Sequence, residues 1–363
     1  MNAERLHAIA VSLNQEMIKG NTVGRMQELI NALQQVVNQP HPQHQQTLSQ
    51  SLKAMYASVT NTHSDGFSPT WREILREIGG EELFGDPLKA SIEAVFARNQ
   101  ITPAVALEEL QELHKSLQAF KNALDQITSA LRHLHIGDEK LSPGECEIGV
   151  LIPRDAVKNH LLEFADELKE LGFILNTFSE VATGKKDELA IRTISSSDLL
   201  VYLQAAAPYA ACLAVSIERV VALYKQLLEI RKLREGIRKQ GVPEDQTTGI
   251  ETYANNLMET GIDKIAVEVV SEYHKKDDKG RKNELTNAVR ISLNKIANRI
   301  DRGFNLEVRV EPLAKKNDQE EDKRLQTAIA AIQAATANMQ FVKLNGQPIL
   351  RLPEAVEKPK KKE

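Results

Sequence analysis

Between residues 106 and 134, apolar side chains return in unbroken alternating steps of four and three: Ala106, Leu110, Leu113, Leu117, Phe120, Leu124, Ile127, Leu131 and Leu134. A 3.5-residue repeat holds one apolar stripe on one side of an α-helix. No β-strand pattern, whose period is two, fits the same residues. Thr102 offers a cap, and Pro103 suits the first turn, where its missing N–H leaves no bond unmade. The helix is expected to run about 50 Å. Its stripe has to be covered, and the spacing leaves two ways open: antiparallel packing within the chain, or a seam shared with another chain. Leu110, Leu113, Leu117, Phe120, Leu124, Ile127, Leu131 and Leu134 are therefore the candidate partner or oligomer seam.

Before this helix, residues 1–62 read as three short helices. They are broken at 19–22 and at 38–46, where Pro40 and Pro42 stop the second. The segment 61–69 reads as a linker. Shorter helices are expected near 69–78 and 86–98, so that 69–136 forms a second helical region. The stretch 136–145, with Gly137, Pro143 and Gly144, reads as a boundary.

The texture then changes. Residues 146–152 read as a buried strand, 154–172 as an amphipathic helix closed by Gly172, and 173–179, 188–194 and 199–204 as strands. Residues 304–310 alternate as the clearest strand, with Phe304, Leu306, Val308 and Val310 on one side. It is expected to rejoin the sheet, leaving 208–302 as a helical excursion within a domain 146–312. That excursion is read as helices 208–240, 250–273 and 282–302. The charged end of the first is expected to project. A helix at 319–339 and a β-hairpin turning at Asn345–Gly346 complete 319–352, and 353–363 reads as a disordered basic tail. The expected fold is predominantly helical α+β with a small mixed or antiparallel sheet.

One stretch raises the question of a membrane. From Leu199 to Ile217 no side chain is charged, and the run is long enough to span a bilayer. Gln204 and Pro208 interrupt it, which favours a strand followed by a core helix. An integral membrane protein is not expected, and the opening residues have no apolar signal region. Two cysteines, Cys146 and Cys212, make no disulfide framework and suit a reducing, cytoplasmic compartment.

The search for chemistry is mostly negative. Glu145 and Glu147 flank Cys146 and oppose a thiolate; Cys212 sits among alanines as a core residue. Ser195–Ser197 lack a nucleophile-elbow context. His133 and His135 stand two apart and diverge on a helix. His41 and His44 can approach each other but lack a third ligand, and His160 and His274 are expected at the surface or at helix ends. Gly184–Lys185 fails the P-loop pattern at Ser179 and Lys186. No catalytic residue, cofactor, metal or small-molecule substrate is assigned.

Charge is the remaining signal. Residues 275–302 hold nine basic residues against four acids, and 225–240 hold six against two, whereas 244–274 carry seven acids against Lys264. Lys275, Lys276, Arg281, Lys282, Lys295, Arg299 and Arg302 are thus a candidate phosphate-binding face. The three helices together nearly neutralise one another, the strands lack aromatic stacking platforms, and the net charge is only -4. The leading expectation is a non-catalytic interaction or assembly subunit (a scaffold or adaptor) of an intracellular complex, binding a protein partner or itself. A nucleic-acid-associated protein using helices 225–240 and 275–302 comes second. An enzyme with an unrecognised site comes third.

Overall fold

Three prolines decide where helices begin in the first half of the chain. Pro42, Pro69 and Pro103 each occupy the first turn of a helix, where φ is already set and no N–H is missed. A side chain caps two of these starts: His41 Nδ1 accepts from the Gln43 N–H, and Ser68 Oγ from the Trp71 N–H. In this computed structural model residues 3–137, 141–186, 189–195, 199–240, 248–275, 278–313, 320–339 and 346–355 are described. The chain divides into two compact units, Met1–Lys140 and Leu141–Glu363. The fold is predominantly helical α+β, with twelve α-helices and one four-stranded antiparallel sheet among the described residues.

The first unit holds α1 (Ala3–Gly20), α2 (Thr22–Asn38), α3 (Pro42–Ser58), α4 (Pro69–Glu77), α5 (Gly85–Arg98) and α6 (Pro103–His133). The 4-3 stripe lies along α6. Ala106, Leu110, Leu117 and Leu124 are buried in the unit's core, with Leu113, Phe120 and Ile127 half-buried beside them. α1, α2 and α5 supply the cover. Phe120 meets Phe84 edge-on at 5.8 Å. Leu131 is half-buried, and Leu134, just past the helix end, is exposed, so the covered stripe ends with the helix. Past its end, the Ile136 carbonyl lies 2.7 Å from His7 Nδ1, a link back to α1.

In the second unit β1 (Cys146–Ile152), β2 (Ile191–Ser195), β3 (Leu199–Ala205) and β4 (Asn305–Val310) form a sheet ordered β2-β3-β1-β4. Ile148, Val150, Val201, Leu203, Leu306 and Val308 share one face and are buried. On the other face Gly149 stands between Tyr202 and Glu307. A Cβ on Gly149 would come within 2.9 Å of the Tyr202 ring, so glycine is what lets large side chains lie across the central strand.

Three sequence expectations are corrected here. The strand read at 173–179 is helix: α7 (Leu161–Thr183) runs straight through it. Its apolar residues Leu168, Leu171, Leu175, Phe178 and Ala182 are three or four apart and face the core. Gly172 is an ordinary helical residue with open space where a Cβ would be. The stop is Gly184, at φ 78°, whose N–H bonds the Glu180 carbonyl. Residues 154–157, read as the first turn of that helix, form a separate 3₁₀ turn.

The helix read at 208–240 is two helices, α8 (Ala207–Lys225) and α9 (Leu228–Lys239). The ladder tightens between them, with Gln226 and Leu227 bonding back only three residues. α9 does not project: its Arg231 and Arg234 are buried. α8 is long and apolar enough to cross a membrane by length and composition. Here it packs on α7, strands β1 and β4, and the helices α10 (Thr248–Tyr273), α11 (Lys279–Asp301) and α12 (Glu320–Asn338).

The last correction concerns the hairpin. Its first arm and Asn345 lie outside the described residues. The second arm, 346–352, joins no strand. It lies instead as an extended strap whose backbone is held by side chains of α9, α10 and α11.

α11 explains why. Its residues 292–301 are buried without interruption, so every polar side chain there needs a partner within the protein. Asp301, wholly buried, accepts from Tyr224 Oη at 2.5 Å, Arg231 Nη1 at 2.7 Å, and the Ile349 and Leu350 N–H groups at 2.6 and 2.7 Å. Burial and the adjacent Asp301 carboxylate raise the Tyr224 phenol's pKa, which keeps it the donor. Asn298 both donates to and accepts from the backbone of Leu352, and Asn294 donates to the Pro353 carbonyl.

Two substitutions test this description. Asp301→Ala leaves the Arg231 charge buried without its carboxylate and is expected to cost about 3–5 kcal/mol. Leu117→Ala opens a cavity in the first unit at about 2–5 kcal/mol. Chemical denaturation should show both losses, and helicity of the native baseline should persist in the Leu117 variant.

Candidate interaction surfaces

The last three turns of α11, residues 292–301, are buried all round, which takes the basic residues Lys295 and Arg299 inward. Arg299 Nε bonds Glu167 of α7 at 2.5 Å, and Lys295 pairs with Glu170 of α7. Both basic side chains are buried. Arg281 is more exposed and pairs with Glu180 of α7 and Glu284 of its own helix. Arg302 lies over the Phe304 ring at 5.5 Å. Lys275 and Arg302 are exposed, Lys282 is half-buried, and Lys276 lies outside the described residues. The seven residues therefore form no single face. α7 supplies three of the neutralising acids, Glu167, Glu170 and Glu180, whereas the acidic helix α10 supplies Asp263, 3.9 Å from Arg290. A basic run in sequence cannot reveal the α7 pairings, because those three acids lie more than a hundred residues away.

On α9 two residues of the second basic run, Arg231 and Arg234, are likewise internal, whereas Lys232 and Lys239 are exposed. Arg231 meets Asp301, and Arg234 pairs with Glu251 at the start of α10. Neither arginine is presented to solvent.

The nucleophile and metal candidates resolve in the same direction. Cys146 and Cys212 are buried and free. Burial, with Glu145 adding to it, pushes the Cys146 thiol up to about 12. Burial also raises Cys212. His41 and His44 do approach, their rings 5.8 Å apart. Each already has a backbone partner, the Gln43 N–H and the Gln39 carbonyl. Among the described residues no group of three His, Cys, Asp or Glu is placed to hold a metal. His160 is exposed at the start of α7, whereas His274, expected at the surface or a helix end, ends α10 but is buried. A cleft of about 170 Å³ between α7 and α11 is lined by Phe173, Thr177 and Leu285 and crossed by the Glu180–Arg281 pair.

Sequence reasoning passed over one surface. Between β1 and α7 the chain makes a 3₁₀ turn, then places Lys158 and Asn159 in succession at φ 50° and 52°. Left-handed backbone is strained for residues with a Cβ, and a non-glycine pair needs external support. The Asn159 N–H bonds the Arg154 carbonyl at 2.9 Å, and Arg154 Nη1 bonds Asn159 Oδ1 at 2.9 Å. Lys158 Nζ reaches Glu163 at 2.8 Å, while Val157 is anchored in the core. The turn delivers Leu161 and Leu162 to solvent at 79% and 78% exposure. Three helical turns after Leu162, Phe173 is 48% exposed on the same side. The signal available in sequence was the adjacent apolar pair Leu161–Leu162.

Comparison of the chain with protein-family models, with curated proteins and with solved structures finds no match in any of the three.

Two measurements follow from this geometry. A raised thiol pKa means less thiolate at any pH below it, so at pH 8 a disulfide reagent should leave Cys146 and Cys212 unlabelled until the protein is unfolded. Rapid labelling of the native chain would contradict their burial. Lys295→Gln with Arg299→Gln should destabilise the fold by about 1–3 kcal/mol in chemical unfolding, chiefly because the largely covered Glu167 loses its partner, whereas Glu170 can turn to water. A change confined to nucleic-acid affinity, with stability unaltered, would contradict the inward pairing.

Proposed function

We propose that this chain is a non-catalytic interaction or assembly subunit of a cytoplasmic complex. The observation that carries the reading is the Leu161–Leu162 pair held out on a tethered, left-handed turn. Strained backbone persists where surrounding structure over-determines it, and it is commonest at sites of function. Each leucine fully buried against a partner is worth about 1.5–3 kcal/mol, and a rigid turn loses little entropy on docking. Phe173 extends the same face as a third anchor. The inward pairing of Arg231, Arg234, Lys295 and Arg299 supports a protein partner over nucleic acid. The raised thiols support a binding role over nucleophilic catalysis.

The test is a Leu161→Asp, Leu162→Asp double variant of the full chain. Acidic residues in the first turn of a helix are favourable, so thermal stability should be unchanged. Proteins retained from native lysate by wild type, equally with and without nuclease treatment, should be lost by the double variant. Equal retention by both chains, or retention abolished by nuclease alone, would remove the reading.

A further inference from the structure

Segment 346–354 is bound the way a ligand is bound. Among the described residues it makes no backbone–backbone hydrogen bond to the rest of the unit. Side chains on three helices read its main chain instead. Arg231 donates to the Gly346 carbonyl, and Glu235 accepts from the Gln347 N–H at 3.3 Å. Asp301 takes the Ile349 and Leu350 N–H groups. Asn255 of α10 donates to the Ile349 carbonyl at 3.1 Å and accepts from the Arg351 N–H at 2.7 Å. Asn298 does the same for both backbone groups of Leu352 at 3.0 Å.

The side chains of the segment divide by chemistry. Ile349, Leu350 and Leu352 are buried in the core of the unit, at 2%, 7% and 4% exposure. Pro348, Arg351 and Pro353 are exposed. Main-chain bonds giving affinity, and pockets for particular side chains giving specificity, are how extended peptides are recognised in trans. Here amides and a carboxylate on α10 and α11 do the reading in place of a sheet edge.

We propose that the groove between α9, α10 and α11 is a peptide-recognition site that segment 346–354 fills in cis. Its ligand in trans is an extended segment of another protein, bearing two adjacent aliphatic residues, a spacer and a third aliphatic residue. A second copy of this chain is the weaker competitor. The tethered segment acts at an effective concentration of roughly millimolar, and an identical sequence with identical contacts does not displace it. A partner does so by adding contacts at the positions where Pro348 and Arg351 face solvent. This site is independent of the α7 surface, and loss of either leaves the other intact.

The experiment uses the full chain carrying Ile349→Ser, Leu350→Ser and Leu352→Ser, and a fluorescent synthetic peptide of residues 346–355. The variant should bind the peptide saturably at one site per chain, about tenfold or more tighter than wild type, whose groove is filled. Peptide should also raise the variant's melting temperature towards the wild-type value. A peptide with serine at the same three positions should not bind. If the variant loses helicity, its return on adding peptide supports the proposal equally. No binding by a folded variant, or helicity that peptide does not restore, would make the segment an inseparable part of the core and overturn the site. Equal affinity of wild type and variant would place the peptide elsewhere and overturn it as well. Wild-type dimers in light scattering that the triple variant lacks would make a second copy the occupant and overturn the assignment to a different protein.

Discussion

A single buried carboxylate organises the second unit. Asp301, at the last turn of α11, has no exposed surface and takes four hydrogen bonds from three separate parts of the chain. A carboxylate withdrawn from water is tolerated only when paired and fully bonded. That requirement sets the rest in place. Tyr224 has to end α8 within reach. Arg231 enters from α9, just past the break at Gln226–Leu227. The strap has to present two adjacent N–H groups, which a strand paired in a sheet does not offer on one side.

Around Asp301 the unit spends its charge internally. The last three turns of α11 carry polar residues on all sides and are nonetheless enclosed, with acids of α7 meeting Lys295 and Arg299, the strap meeting Asn294 and Asn298, and α8 and α9 meeting Asp301. Two residues of a run that looks like a phosphate-binding face, Lys295 and Arg299, are instead buried in ion pairs with α7. The first unit works the opposite way. Its long helix α6 is covered by aliphatic packing from α1, α2 and α5, which demands shape rather than a specific set of partners.

That contrast governs what could be read from residues alone. The helix announced by Pro103 and an unbroken apolar period appears where the pattern places it, whereas α3 starts at Pro42, inside the stretch 38–46 that reads as a break. Strands β1 and β4 also follow their short apolar runs. The failures are local and physical. Gly172 was read as a stop, but glycine ends a helix only where the left-handed conformation is needed, and Gly184 fills that role. The break after Lys225 has no proline or glycine to mark it. Of the interaction surfaces, the α6 stripe was legible as a stripe, whereas the exposed Leu161–Leu162 pair was absorbed into an amphipathic helix that in fact starts at those residues.

Local periodicity and capping, which act over one or two helical turns, determined by themselves that this chain is mostly helical, carries a small sheet, and contains a long helix with one apolar stripe. The tertiary structure alone decided which charges face inward, where α8 ends, and what holds the strap. Those outcomes turn on the desolvation of ionic and amide groups, and that cost is settled by partners such as Glu167 for Arg299, Asp301 for Arg231 and Asn298 for Leu352, brought together from distant points of the chain.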